Sequence, residues 1–235
     1  MSASLEQIRH TLAHLMAAAV LELYPDAKPT IGPAIDNGFY YDFEFPAGAD
    51  GQPNRPAQAD LKDIEKRMRK LLPSWKEMTG EKTNEADAKK AFAGNPYKTE
   101  LIDEIVKKGE PITLYTAGHF TALCRGGHAE SPSKEIAPDS FKLSRIAGSY
   151  WRGDEKKAAL TRIYGLAFET AEALDAHLAM IKEAEKRDHK KLGKELGLFL
   201  FSDLVGSGLP LWTPKGTIIR ELLNDYVWEM RRAKG

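Results

Sequence analysis

The chain has 235 residues, 42% hydrophobic and 29% charged, enough for one large or two modest domains. Its 34 Lys and Arg balance its 34 Asp and Glu, so no global field draws it to nucleic acid or an anionic surface, and such a contact needs a local basic patch. A single cysteine rules out a disulfide framework and suits a reducing compartment; no apolar run resembles a signal peptide or spans a bilayer, so the expectation is a cytoplasmic protein with no membrane partner.

Ser4 and Gln7 have the spacing of a capping box, and a helix follows to about Tyr24, where Pro25 stops it. Leu5, Ile8, Leu12, Leu15, Met16, Ala19 and Leu23 form its apolar stripe. His10 and His14 fall on the opposite side beside Ala13, Ala17 and Ala18, and are expected to face solvent or a cleft. Four residues apart on a helix, both imidazoles reach the same point. Asn37-Gly38 predicts a tight turn before a strand over Phe39 to Phe45, whose aromatic residues read as strand core. Pro46 to Pro56 reads as a loop, and Leu61, Ile64, Met68 and Leu71 mark a helix stopped by Pro73.

Trp75 to Thr79 reads as a short strand, Glu85 to Ala93 as a helix closed by Gly94-Asn95-Pro96, and Thr99 to Lys108 as another closed by Gly109. Ile112 to Thr116 is a strand leading through Gly118 into Leu123-Cys124-Arg125-Gly126-Gly127-His128. Phe141 to Trp151 is extended, and a short polar helix precedes Arg162-Ile163-Tyr164-Gly165. From Thr170 a sparse seam of Leu174, Leu178, Ile181, Leu192 and Leu196 predicts one long charged helix, propped by pairs such as Glu183 with Arg187. A loop at Gly206-Ser207-Gly208 and a helix over Ile218 to Arg232 follow, too short a segment to bury a core alone. The fold class expected is α/β (α+β): an antiparallel sheet flanked by helices, then a long linker helix and the start of a second domain.

One thiol and three imidazoles, from His10, His14, Cys124 and His128, are the chemical candidates. Four such donors suit a closed zinc site, and three with a water suit a hydrolytic one. Cys124 also suits a nucleophile activated by histidine, and the set suits a metal-free site in which one imidazole is the base. Spacing does not choose among these. Thr11 stands where a helical zinc peptidase carries Glu, so peptidase chemistry lacks its base. His119 has no fixed geometry relative to the group, Lys98 reads as an exposed lysine, and the basic helix after Thr170 reads as a solvated face.

Arg9-His10-Thr11-Leu12-Ala13-His14, Ile31-Gly32-Pro33, Asn37 to Asp42, Leu123 to His128, Tyr150 to Asp154, Arg162 to Gly165 and Lys186 to His189 together resemble the bacterial threonyl-tRNA synthetases, in order and spacing along nearly the whole chain. The resemblance implies an editing domain over 1–168, a linker helix over 169–197 and the beginning of a class II catalytic domain over 198–235. It implies an editing site that hydrolyses Ser-tRNA(Thr) by water attack, with His10, His14, Lys98, Cys124 and His128 as catalytic positions and Tyr41, Ala122 and Arg125 as substrate-binding ones. No cofactor is implied for editing, although related alanyl editing domains hold zinc on the same four donors. ATP, the catalytic zinc and aminoacylation belong to the rest of the family's longer chain. There the last helix sits at a homodimer interface, which this chain need not form by itself.

Editing answers a physical need. A missing methyl is worth about 1–3 kcal/mol in a pocket, too little to reject serine at a synthetic site. Two positions depart from the family pattern: Gly127 stands where Pro is usual, and Ala122 where Asp is usual. The second leaves a catalytically weak RNA-binding module as one alternative; the donor set shared with the alanyl editing domains leaves a zinc-dependent trans-editing hydrolase as another.

Overall fold

A computed structural model describes residues 3–48, 51, 54–206 and 208–235. The 46–56 loop and the 206–208 loop lie partly outside the described residues. Two units are distinguished, Met1–Asp175 and Ala176–Gly235.

The first unit is built on α1 (Leu5–Leu23). The capping box forms as the spacing predicts: the Gln7 backbone N–H donates to Ser4 Oγ at 3.3 Å, and the Ser4 N–H to Gln7 Oε1 at 2.8 Å. Every residue from Thr11 to Val20 is buried. The helix is therefore enclosed all round along its middle, and of the two expectations for the histidine side, solvent or a cleft, solvent is excluded for His14. Its alanines are small enough for backbone to approach from that side as well.

Strands β1 (Lys28–Pro29) and β2 (Ala34–Ile35) both pair with β3 (Gly38–Glu44). Successive side chains of β3 point to opposite faces, and both faces are largely covered. Phe39, Tyr41 and Phe43 enter the core with Leu12, Leu15, Met16, Ile64 and Met68, the last two from α2 (Leu61–Leu71). On its other face Asp42 accepts two 2.7 Å hydrogen bonds from Arg162, one strand across.

A three-stranded antiparallel sheet joins β4 (Thr79–Thr83), β5 and β6. Between β4 and β5 come α3 (Glu85–Ala91) and α4 (Pro96–Lys107). β5 (Ile112–Ala117) turns at Gly118-His119 into β6 (Phe120–Leu123), which delivers Cys124. After the short α5 (Pro132–Glu135), β7 (Phe141–Tyr150) and β8 (Ala159–Ala167) complete the larger sheet, ordered β1-β3-β8-β7 with β2 on β3. Both sheets are antiparallel, in agreement with the expected class.

Four local expectations are corrected. Trp75 is not in a strand. Pro73 holds 72–74 in a 3-10 turn, and the indole fills the core against Phe120, while pairing starts only at Thr79. Pro96 opens α4 instead of closing the helix before it. Proline is tolerated at a first helical position, and the Asn95 side chain caps the Lys98 N–H at 3.2 Å. The polar segment before Arg162 is a 3-10 turn at Trp151–Gly153 and a bend at the hairpin tip, with no helix. The long charged helix is two, α6 (Ala171–Lys186) and α7 (His189–Glu195). Asp188 breaks it by accepting from the N–H groups of Lys190 and Lys191, as a helix-capping residue rather than an interior one. Glu183 and Arg187 do pair, at 3.0 Å.

The second unit closes with the hairpin β9 (Phe199–Leu200) and β10 (Leu211–Trp212), then α8 (Pro214–Lys234), capped by Thr213. Among the described residues no helix is long and apolar enough to cross a membrane.

Candidate active site

α1 supplies two imidazoles one turn apart, and the loop after β6 brings a thiol and a third imidazole to the same place. The donor atoms of His10, His14, Cys124 and His128 all lie within 4.8 Å of one another. His10 Nε2 is 3.2 Å from His14 Nε2 and 3.4 Å from Cys124 Sγ, which is 3.3 Å from His128 Nε2. His14 and His128 are buried, and His10 and Cys124 are partly exposed.

The turn that aims His128 uses two successive glycines in the left-handed region, Gly126 at φ 101° and Gly127 at φ 83°. A Cβ on Gly126 would meet the Tyr115 hydroxyl at 2.6 Å. Their conformation lets the Gly127 carbonyl accept from His10 Nδ1 at 3.2 Å. Thr11 locks the far side: its hydroxyl donates to Gln7 O at 2.8 Å and accepts the Ala129 N–H at 2.9 Å. Tyr115 lies against the His128 ring, centroids 4.6 Å apart. Tyr115 is not singled out by the sequence, and Thr11 only as the residue standing where a helical zinc peptidase carries Glu, not as a lock on the loop before Ala129.

Hydrogen-bond partners fix the protons. A carbonyl only accepts, so His10 carries its proton on Nδ1 and offers a lone pair at Nε2. His14 must then donate from Nε2, leaving its Nδ1 a bare lone pair. Cys124 Sγ and His128 Nε2 share one proton between them. Burial, with the neighbouring imidazoles and Lys98 adding to it, holds the His14 pKa well below the ordinary histidine range. Burial and the proximity of His10 push His128 down to about 3. His10 is lowered by burial, partly offset by the Gly127 carbonyl and Glu6. Burial raises the Cys124 thiol. All four groups are therefore held neutral near pH 7.

As a donor set these residues suit zinc; as an outer shell they do not. Zinc on three Nε2 atoms would leave every proton on Nδ1, and metal-bound histidines ordinarily donate that N–H onward. His10 has the Gly127 carbonyl for it. His14 Nδ1 and His128 Nδ1 are buried with no partner.

Lys98, on the first turn of α4, is 3% exposed, against the expectation of an exposed side chain. Its Nζ lies 3.5 Å from the Tyr41 hydroxyl, whose ring stands 6.2 Å from His14. Burial pushes Lys98 down to about 8, with Cys124 acting in the opposite sense, and burial raises Tyr41. Lys98, Tyr41 and Ala122 line one cavity of about 470 Å³. Cys124 lines another of about 230 Å³ with Ile31, Leu101 and Ile105. Arg125 also borders the second, and its exposed guanidinium is paired with Glu110. His119, on the hairpin turn, stays outside the group.

No protein-family model matches the chain. Individual proteins do. The threonine–tRNA ligase of Gloeobacter violaceus is 49% identical over 233 residues, covering 98% of this chain and 36% of that protein. That of Synechococcus elongatus is 47% identical over 237 residues, 100% of this chain and 37% of its own. That of Geobacter sp. strain M21 is 48% identical over 225 residues, 95% of this chain and 34% of its own. The chain thus spans a little over a third of the length of these relatives, and along nearly all of its own length it is a homologue of the threonine–tRNA ligases.

Proposed function

We propose that residues 1–168 form an editing domain that hydrolyses the ester of Ser-tRNA(Thr), with 169–197 a linker and 198–235 the beginning of a synthetic domain. One observation carries the reading: three neutral imidazoles and a thiol meet, and the Tyr41 ring, 6.2 Å from His14, links them to a buried lysine that lines a cavity with it. That is the equipment for adding water to a carbonyl. It needs a base, a placed water and a charge where the oxyanion develops.

The mechanism proposed is metal-free. A water accepts from His14 Nε2–H and donates to His10 Nε2, taking the place of the direct bond between the rings. Its oxygen attacks the seryl carbonyl while its proton passes to His10. The developing oxyanion faces the Lys98 ammonium and the Tyr41 hydroxyl. Collapse of the tetrahedral intermediate breaks the ester bond, and the ribose oxygen leaves with the proton from His10. Cys124 and His128 wall the seryl group. The buried His14 Nδ1, which would have to carry a proton with no acceptor if zinc took Nε2, favours this over the zinc-dependent trans-editing alternative.

The test is deacylation of Ser-tRNA(Thr) and Thr-tRNA(Thr) by the purified chain. Serine release is expected, with little threonine release, and it should fall at least about 100-fold in His10→Ala. Full activity in that variant, or none in the parent, removes the reading. Ala122 faces the Lys98 cavity without a carboxylate, which favours weak catalysis as the second reading. Ala122→Asp is expected to raise the rate by giving the buried ammonium a counter-charge. An unchanged rate would mean the position is idle.

A further inference from the structure

We propose that Trp151 and Arg152, at the tip of the β7–β8 hairpin, are positioning residues that set how deeply Lys98 reaches into the site. The proposal rests on the reading of Lys98 as the oxyanion partner. α4 presents two sides. Tyr97, Glu100, Leu101 and Glu104 recur at helical spacing toward the hairpin tip, while Lys98 and Ile102 turn inward, where both are buried.

Along the outer side the hairpin tip grips the helix at three points. The Trp151 indole N–H donates to Glu100 Oε2 at 2.9 Å. Arg152 Nε donates to Glu100 Oε1 at 2.9 Å, and its Nη2 donates to Glu104. The Trp151 ring meets Tyr97 edge-on, centroids 5.0 Å apart, in a small cluster with Leu160 and Leu101. Tyr97 directly precedes Lys98.

Arg152 makes these contacts from φ 57°, ψ 22°; among the described residues it is the one non-glycine residue in the left-handed region. An L side chain holds that conformation only when its surroundings over-determine it. The guanidinium forked onto two carboxylates of one helix, while lying 5.0 Å over the Trp151 ring, does so. At the helix start Asn95 donates from Nδ2 to Pro29 O at 2.9 Å. α4 is thus held at its N-cap and along two following turns. Lys98, between those holds, is a long side chain that would otherwise swing to water.

The experiment follows Lys98 by NMR titration of its ε-carbon in the whole chain, with Lys98→Met for assignment. Tyr41, Cys124 and His14 are the titratable groups around it. In Arg152→Ala and Trp151→Phe the Lys98 pKa is expected to rise by about one unit or more, as water reaches the amine. The rate of serine release should fall about tenfold at unchanged KM. Glu104→Gln removes only one arm of the clamp; it keeps the protein folded if Arg152→Ala does not, and should give a smaller upward shift. A merely structural role lowers melting temperature and leaves the Lys98 titration alone, and an unmoved titration in the folded variants overturns the proposal. Because that readout needs no turnover, it stays informative even if the parent fails to hydrolyse Ser-tRNA(Thr).

Discussion

In the role proposed for it, Lys98 sets function against stability at a single residue. A buried ammonium whose pKa is pushed down to about 8 binds its proton less well folded than unfolded, where the lysine value is about 10.4. The unfolded chain therefore holds more protons between these values, and stability from this group rises as pH climbs from about 8 to about 10. Below pH 8 the full cost of burying the charge is present, of order 3 kcal/mol for a shift of this size. Lys98→Met should thus be more stable than the parent at pH 7 by about 2–3 kcal/mol, the difference shrinking toward pH 10 in urea denaturation. The same substitution should remove most hydrolysis, and the parent's pH–rate profile should fall on its alkaline side near pH 8, as the ammonium is lost. A stability difference that is flat with pH would show that Lys98 is not the group responsible. The burial of Lys98 was not legible in the residues around it, although the family resemblance placed it among the catalytic positions. Pro96-Tyr97-Lys98 reads as a loop lysine, because burial there depends on Tyr41 and on a helix start set by Asn95. The histidine pair was legible, since a spacing of four needs only a helix. That the helix would be covered on every side was not, since its apolar stripe accounts for one side only.

Among the elements, the glycine turn before His128 decides the shape of the site. Gly127 stands where the resemblance implies proline, and its φ of 83° is one that proline, held near −65°, does not reach. The departure is therefore matched by the backbone: the carbonyl that fixes the His10 tautomer is presented by a left-handed residue. Gly127→Ala should cost about 1–2 kcal/mol, the usual left-handed penalty, with the site otherwise kept. Gly127→Pro should cost more and pull the carbonyl off His10, measured as loss of the hydrogen-bonded Nδ1 proton in the NMR spectrum. A proline variant of parental stability with that proton intact would show that the turn reshapes freely. The motif's place in the chain was readable from Cys124 and His128, but its geometry depends on Tyr115 and Thr11, which meet it from a strand and a helix distant in sequence. Similarly, Trp75 and Pro96 were misread because local propensity gave way: the indole had core to fill, and the proline had a helix to start.

For the whole molecule, the two units differ in how they bury apolar surface. Met1–Asp175 holds a core in which Leu12, Phe39, Phe43, Ile64 and Phe141 are fully covered. α8, in the second unit, carries Ile218, Leu222 and Tyr226 on one row and Ile219 and Leu223 beside it, all exposed. A row spaced by four on a helix is one face, and fully burying each large apolar side chain is worth about 1.5–3 kcal/mol. An uncovered apolar face of this size marks a contact surface. The 235-residue chain is expected to self-associate reversibly in sedimentation velocity as its concentration rises toward about 100 μM, an affinity within reach of a few such side chains. Leu222→Glu combined with Tyr226→Glu should return it to monomer without altering Ser-tRNA(Thr) hydrolysis, because every residue proposed for that chemistry lies before position 129. A chain ending at Asp175 should remain monomeric and keep the activity. Self-association that survives the double substitution would move the contact off α8, and loss of hydrolysis in the shortened chain would make the second unit part of the editing apparatus.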